Sequence, residues 1–405
     1  MALAEALPLT GSATSATDSV LGVSCNDAFT FWGLPQQWRA SLEEFNRPSA
    51  DIADWYLYEY YLAPQERRPS SKLNNYYRIK QLIPLRLRFL LKSYFVRARR
   101  KRPFPAWPCE GALVDYWRAW MRKGVEILGV QDGYHIDFWP QGRKCCIVLT
   151  HDVESPKGMQ LMERIADLEE RWGFYSSWNI PLAQYPVDWK LVERLRARGF
   201  EFGAHGLSHD GRLFRSELDF QALAPRLEQL AREHNLRGFR SPSTLRVMPW
   251  IQSLDFDYDS SFADTDPYEP QPGGCCSIFP YFIGKMVELP YTLAQDHTLI
   301  HLLRRDPLPI WREKARWIAS MGGMILALIH PDYCGEPPYL DTYQEFLKFL
   351  ADFEHAWRAL PSQVAAWWRC RASLRLTVGR NGPSIEGSGA TQAQATLLSE
   401  TPLFR

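Results

Sequence analysis

Apolar and polar positions alternate along this chain with two different rhythms, and the change of rhythm divides it. Between Cys145 and Leu360, short apolar runs alternate with stretches of helical period. The run Cys146–Leu149 ends on Thr150, His151, Asp152 and Glu154, and an apolar run of that length before a turn reads as a buried strand. Gly158–Trp172 then carries Met, Leu and Ile at helical spacing. Phe174–Ile180 reads as a strand, Asp188–Arg198 as a helix, Phe200–Ala204 as a strand, Leu218–His234 as a long helix and Leu236–Phe239 as a short strand. Arg246–Leu254 reads as helical, Phe256–Ser260 as extended and Met286–Tyr291 as a further strand. Ile310–Met321 reads as a helix, Met324–Ile329 as a strand and Leu340–Leu360 as a closing helix. Strands alternating with helices predict parallel βα units, and in such folds the working residues gather at the C-terminal ends of the strands.

The flanks read differently. Residues 1–25 are small and polar and read as a disordered lead-in. Residues 26–140 form an aromatic-rich, basic, mainly helical region, with a helix expected over Val114–Leu128. Within it, residues 76–102 interleave Arg86, Arg88, Lys92, Arg97, Arg99, Arg100, Lys101 and Arg102 with Leu, Phe and Tyr. A basic amphipathic helix of this kind can touch an anionic membrane surface peripherally. Pro84 and the shortness of the apolar stripe favour the other reading, a solvated face packed on the body of the chain. That body spans residues 141–370. Residues 371–405, including GRNGPSIEGSGATQ, lose periodicity and read as a disordered tail.

Composition narrows the function classes. With 405 residues, 46% of them hydrophobic, a large core is available, and 16 Trp, 18 Tyr and 21 Phe also suit a sugar-binding cleft. A net charge of +1 gives no global electrostatic case for nucleic acid. The eight cysteines include the adjacent pairs Cys145–Cys146 and Cys275–Cys276 but no CxxC spacing, which removes zinc-ribbon and thioredoxin readings. Reduced thiols, the lack of a basic secretory n-region and the lack of a run of roughly 20 uncharged apolar residues point to a cytoplasmic chain, at most peripheral at the inner membrane face. Nothing in the sequence fixes the oligomeric state.

The candidate chemistry lies where the predicted strands end. The first strand delivers Asp152 and Glu154, the Phe200 strand AHGLSHD with His205 and His209, the Leu236 strand FRSPS with Arg240, the Phe256 strand Asp259, the Met286 strand LPYTLAQD with Asp296, and the Met324 strand LIHPDY with His330. A carboxylate at the end of a buried strand requires a cation or hydrogen-bond donors, so this recurrence does not follow from strand propensity. His205 and His209 lie four apart, which on a helical turn puts both imidazoles on one face. With a carboxylate from another strand end they make a two-His, one-carboxylate set that suits zinc or a similar divalent ion. Tyr333 is a candidate for a substrate pocket, whereas Trp250 reads as aromatic core.

Over Lys144–Ala365 the ordered set LTHDVE, HGLSH, FRSPS, YDSS and LIHP resembles the motifs of the polysaccharide deacetylases of carbohydrate esterase family 4, in the branch reading Asp-Val-Glu or Asp-Val-Asp. The resemblance implies an α/β fold, an irregular (β/α)7 barrel carrying a mainly helical N-terminal extension. It also implies roles for individual residues. Asp152 would be the general base and Arg240 would orient its carboxylate. Val153 stands where the family has a second Asp, which passes the metal-ligand role to Glu154 beside His205 and His209. His330 would be the general acid, steadied by an aspartate, with Asp259 the first choice and Asp296 the second. His151 replaces the family's usual Phe and is assigned a structural role or a supporting one behind the site residues. The implied activity is a metal-dependent amide hydrolase, zinc most of all, that removes N-acetyl groups from an N-acetylated sugar or glycan precursor. Two other readings stand beside it: a cyclic-amide hydrolase of the allantoinase type on the same fold, and a non-catalytic carbohydrate-binding or scaffold protein.

Overall fold

The computed structural model describes residues 26–71, 73, 75 and 103–404. The expected lead-in at 1–25 and the basic segment at 76–102 lie outside the described residues.

The centre of the fold is strand β2. In chain order the strands are β1 (Tyr134–Ile136), β2 (Cys145–Asp152), β3 (Ser176–Ile180), β4 (Glu201–Ala204), β5 (Gly238–Phe239), β6 (Tyr258–Asp259), β7 (Tyr281–Ile283), β8 (Met286–Glu288), β9 (Met324–Ile329), β10 (Ala356–Arg358), β11 (Arg375–Gly379), β12 (Gly382–Glu386) and β13 (Ala395–Leu397). Every residue of β2 is buried, as expected of a strand covered on both faces in a parallel sheet. One edge of β2 pairs with β9 from Cys146 to His151; the other pairs with β10 at Cys145–Ile147 and with β3 at Leu149–Asp152. From β3 the sheet continues through β4, β5, β6 and β8, all parallel, and ends at the antiparallel β7. Beyond β8 the chain turns back, and the Thr292 and Leu293 amides donate to the Leu326 carbonyl of β9. The two ends of the curled sheet are thereby joined through irregular chain, and the expected barrel architecture is present.

Helices fill the crossovers. Those around the sheet are α5 (Pro156–Arg171), α6 (Trp189–Ala197), α7 (Glu217–Glu233), α8 (Met248–Gln252), α9 (Pro307–Ser320), α10 (Pro331–Cys334), α11 (Tyr339–Ala351) and α12 (Pro361–Ser373); α1 (Ala28–Trp32), α2 (Arg39–Asn46), α3 (Ser49–Leu57) and α4 (Ala112–Leu128) precede them. α5 starts directly after the acidic strand end because Ser155 caps it, its side chain accepting from the Gly158 amide at 3.3 Å, with Pro156 in the first turn. The N-terminal helices pack on the β7 side of the barrel. Tyr58 donates to the Phe282 carbonyl at 3.0 Å, Tyr61 to that of Gly274 at 2.7 Å, and the Trp32 indole to that of Trp117 at 3.2 Å.

Three expectations are corrected here. The predicted closing helix over 340–360 stops at Ala351; β10 follows, and Pro361 opens a separate helix, where its missing N–H costs nothing. The predicted strand Met286–Tyr291 ends at Glu288. The tail is not disordered over its described residues, 371–404. β11 and β12 form an antiparallel hairpin with Leu376 facing Ile385, and β13 pairs with β1. Leu376, Leu398 and Leu403 are fully buried. The Gly and Ser content hid a short period-two run, RLTVG, and a two-residue turn ahead of Gly382.

Candidate active site

The ionisable strand ends converge at one mouth of the barrel. Asp152, the last residue of β2, is 2% exposed. Its Oδ1 accepts from Asn179 Nδ2 at 2.9 Å and from Arg240 at 3.2 Å. Arg240 is fully buried, and its remaining donors go to the Thr150 hydroxyl, the Ser260 carbonyl and the Ser260 hydroxyl at 2.6–2.8 Å. A buried guanidinium with every edge occupied and one carboxylate to neutralise it is the arrangement that tolerates burial. Burial alone would raise the Asp152 pKa; His205, Arg240, His330 and Asn179 outweigh it, and the net shift is downward. The other oxygen, Oδ2, faces His205 Nε2 at 3.8 Å.

Beside Asp152 stand Glu154, His205 and His209, whose candidate ligand atoms all lie within 4.8 Å of one another. His205 follows β4 directly. Its Nδ1 meets the Arg240 carbonyl at 3.0 Å, and a carbonyl can only accept, so Nδ1 carries the proton. Its Nε2 lone pair is then directed into the mouth, and that atom is buried with no hydrogen-bond partner. His209 Nε2 meets Glu154 Oε1 at 2.8 Å and Ser243 Oγ at 3.4 Å. Burial would raise the Glu154 pKa, but His209, His330 and His205 bring it well below the usual carboxylate range; burial lowers that of His205 to about 4. A neutral imidazole with an orphaned buried nitrogen, a second imidazole and an ionised carboxylate fit a divalent metal of the zinc type. The expected helical turn is not what joins the two histidines. Residues 205–210 are irregular, because Gly206 adopts φ 71° where a Cβ would lie 2.7 Å from Pro242 Cγ.

His330 follows β9, the strand paired with β2. Its Nδ1 meets Asp296 Oδ1 at 2.6 Å, and its amide donates to Asp296 Oδ2 at 2.8 Å. Burial disfavours the charged ring, but the charge and hydrogen bond of Asp296, with Glu154 and Asp152 behind, push its pKa up to about 10. Its Nε2 is 3.8 Å from Glu154 Oε1. The partner of His330 is therefore Asp296 and not Asp259. Asp259 accepts from Ser261 at 2.6 Å and lies against Glu288, where burial raises the pKa of both. Asp296, the second choice, lies past β8 in the irregular chain crossing towards β9.

His151 points the other way, as alternation along β2 requires. It is fully buried, stacks on Trp178 at 4.1 Å and meets Glu169 at 2.7 Å; Glu169 also accepts from Ser176 and Tyr343. Trp250 stacks near Phe214 and Phe220, whereas Tyr333 lies 5.4 Å from the His330 ring and donates to Glu154 Oε2 at 3.4 Å. Sequence reasoning missed three further residues. Asn179 braces Asp152, Asp332 accepts from the Glu154 amide at 3.2 Å and from the Ser155 hydroxyl, and Gln184 donates to the Glu154 carbonyl at 2.6 Å while accepting from the His209 amide. Asn179 is the last residue but one of a predicted strand and lay within reach of the same strand-end rule; a lone Gln in a loop gives no signal.

No family model matches this chain, and no curated protein matches it. Among solved structures it is similar to one described as a polysaccharide deacetylase from Mycobacterium smegmatis, at 19% identity over 60% of this chain and 96% of that one, with a TM-score of 0.47. It is also similar to Puue allantoinase, at 13% identity over 57% and 92% and a TM-score of 0.47. A third, from Pseudomonas aeruginosa PAO1 and again described as a polysaccharide deacetylase, shares 13% identity over 56% and 91% with a TM-score of 0.43. The functional reading rests on the side-chain geometry. Among the described residues no helix is long and apolar enough to cross a membrane, and the seven described cysteines are free.

Proposed function

We propose that this protein is an amide hydrolase that removes acetyl groups from an N-acetylated sugar or glycan precursor. The observation that carries the reading is a carboxylate paired with Arg240 and an imidazole paired with Asp296, the first 3.8 Å from His205 and the second 3.8 Å from Glu154. A binding module has no need of both a base and an acid.

A divalent metal such as zinc, held by Glu154, His205 and His209, would polarise the acetyl carbonyl and acidify a water so that even a weakly basic carboxylate can deprotonate it. Asp152 supplies that carboxylate. Its Oδ1 is committed to Asn179 and Arg240, which leaves Oδ2, the oxygen turned towards His205, to take the water proton. The water oxygen bonds to the acetyl carbon and the C–N bond breaks. An amine leaves poorly unless protonated, so an acid is required besides the base. His330 meets that need: Nδ1 is held by Asp296, and Nε2–H is the edge free to donate to the leaving nitrogen. Acetate and the free amine are the products.

The test is acetate release from N-acetylated sugars by the wild type and by Asp152→Asn, with allantoin run in parallel. Removal of a general base is expected to lower the rate by roughly 10²–10⁴-fold. Full activity in Asp152→Asn would overturn the mechanism. Turnover of allantoin without acetate release would move the substrate to the cyclic amides.

A further inference from the structure

A second cavity, of about 260 Å³, opens beside the active-site loop. Its walls come from two stretches and the Phe262 side chain. One is Tyr58–Arg68, which leaves α3; the other is Arg246–Pro249, which leads into α8. The second stretch continues the chain that builds the catalytic mouth. Arg240 holds Asp152, Ser243 touches His209, and Arg246–Pro249 then forms the cavity wall. Ser243 and Thr244 adopt φ 54° and 48° on the way, a conformation that non-glycine residues occupy only when surrounding contacts enforce it.

One contact that enforces it is the buried pair Arg246–Glu59. Arg246 Nε donates to Glu59 Oε2 at 2.8 Å, its terminal nitrogens reach Glu59 Oε1, the Thr244 carbonyl and the Gln271 carbonyl, and Glu59 itself sits at φ 56°. Those donors are spent on the protein, so Arg246 is a strut and not a ligand-binding group. The charge left over in the cavity belongs to Arg67 and Arg68. Among the described residues neither has a carboxylate within ion-pair distance; Arg67 Nε is buried with no acceptor, and its guanidinium lies 5.0 Å from the Tyr60 ring. The nearest carboxylate in sequence, Glu66, accepts from the Ala63 amide at 3.4 Å. Two arginine forks beside an aromatic ring and the apolar Val247, Met248, Pro249 and Phe262 suit a compact oxyanion attached to a less polar body.

We infer that this cavity binds a phosphate-class oxyanion through Arg67 and Arg68, either as the distal phosphate of the substrate or as a free anion that clamps Tyr58–Arg68 onto the active-site loop. The first source rests on the proposed deacetylase reading; the binding itself does not.

The experiment is isothermal titration calorimetry of the full chain at low ionic strength with inorganic phosphate, N-acetylglucosamine 1-phosphate and N-acetylglucosamine. Both phosphate-bearing probes are expected to bind the wild type, and the double variant R67Q/R68Q to weaken both at least tenfold while leaving N-acetylglucosamine unchanged. Met248→Glu puts a carboxylate into the cavity with both arginines intact and is expected to cause the same loss. A sugar phosphate that binds at least tenfold tighter than phosphate, with KM and not kcat raised in R67Q/R68Q, assigns the anion to the substrate; equal affinities assign it to a free anion. Phosphate affinity that is absent in the wild type, or unchanged in both variants, overturns the proposal. Because phosphate binding needs no turnover, a failure of acetate release leaves this result readable.

Discussion

Asp296 grips His330 twice, by Nδ1 at 2.6 Å and by the backbone amide at 2.8 Å, so that ring orientation and ring charge are set by the same carboxylate. The ring is turned to leave only Nε2 facing the mouth, and the charge it carries is lost only as the pH rises through about 10.

Asp296→Asn keeps the shape and removes the charge. With the carboxylate gone, the imidazolium loses its proton at lower pH, since Asp296 is the largest influence raising it. The alkaline limb of the kcat profile for acetate release is expected to move to lower pH, while the acidic limb stays in place. A limb that does not move would remove His330 from the acid role.

Arg240 neutralises Asp152 in a site where both side chains are almost wholly buried. Arg240→Ala leaves a buried carboxylate with Asn179 as its main remaining donor, and removal of one partner from such a pair costs about 3–5 kcal/mol. Urea denaturation should show a loss of that size. The double variant Asp152→Asn/Arg240→Ala should recover part of it, because the uncompensated charge is then gone.

What the sequence disclosed follows from how each residue is held. Asp152, His205, Arg240 and His330 sit on or directly after strands whose apolar runs are unmistakable, so their convergence follows from the βα rhythm alone. Asp296 hangs on irregular chain between β8 and β9, and no periodicity marks where such chain will pass. Gln184 and Asp332 support the site through backbone groups of Glu154 and His209, contacts that depend on tertiary approach and leave no pattern. The ordered C-terminal segment was masked by its Gly and Ser content, although Leu376, Leu398 and Leu403 carry the apolar surface that anchors it.

The fit of Glu154, His205 and His209 to a metal predicts zinc binding that depends on each of them. Glu154→Gln and His205→Ala are expected to weaken zinc binding by at least about a hundredfold, since even outer hydrogen-bond partners of ligands are worth 10–100-fold. Metal content after dialysis against a competing chelator measures it. The His205 variant should retain its fold, because the Arg240 carbonyl it loses can be met by water. Wild-type affinity in both variants would take the metal away from this site.

Gly203, in β4, has room for no side chain. A Cβ there would lie 2.5 Å from Asn179 Oδ1 and 3.2 Å from the Gly238 carbonyl. Gly203→Ala must push Asn179, and with it the 2.9 Å brace on Asp152. Activity is expected to fall about tenfold or more, with kcat affected and KM largely spared, because a misplaced base slows the chemical step. Stability should drop by about 1–3 kcal/mol from the overpacking. Steady-state kinetics alongside urea denaturation separates the two effects.

The last prediction concerns the seam that ties the C-terminal segment to the body. His135 of β1 is fully buried, its Nε2 meeting the Thr401 hydroxyl and its Nδ1 the Ile136 carbonyl at 3.0 Å. Burial, reinforced by Arg371, lowers its pKa from 6.5 to about 3. The sign follows from which state binds the proton. Between about pH 6.5 and 3 the unfolded chain protonates this imidazole and the folded one does not, so the contribution is fully present above 6.5 and is lost as the pH falls. The slope from this one group approaches 1.4 kcal/mol per pH unit at its steepest. His135→Gln keeps a polar side chain at the seam and removes the titration. Its midpoint of urea unfolding should be lower than the wild type's at pH 7.5, and its loss of stability between pH 6.5 and 4.5 should be shallower. Parallel curves for the two proteins across that window would show that His135 does not govern the acid sensitivity of the fold.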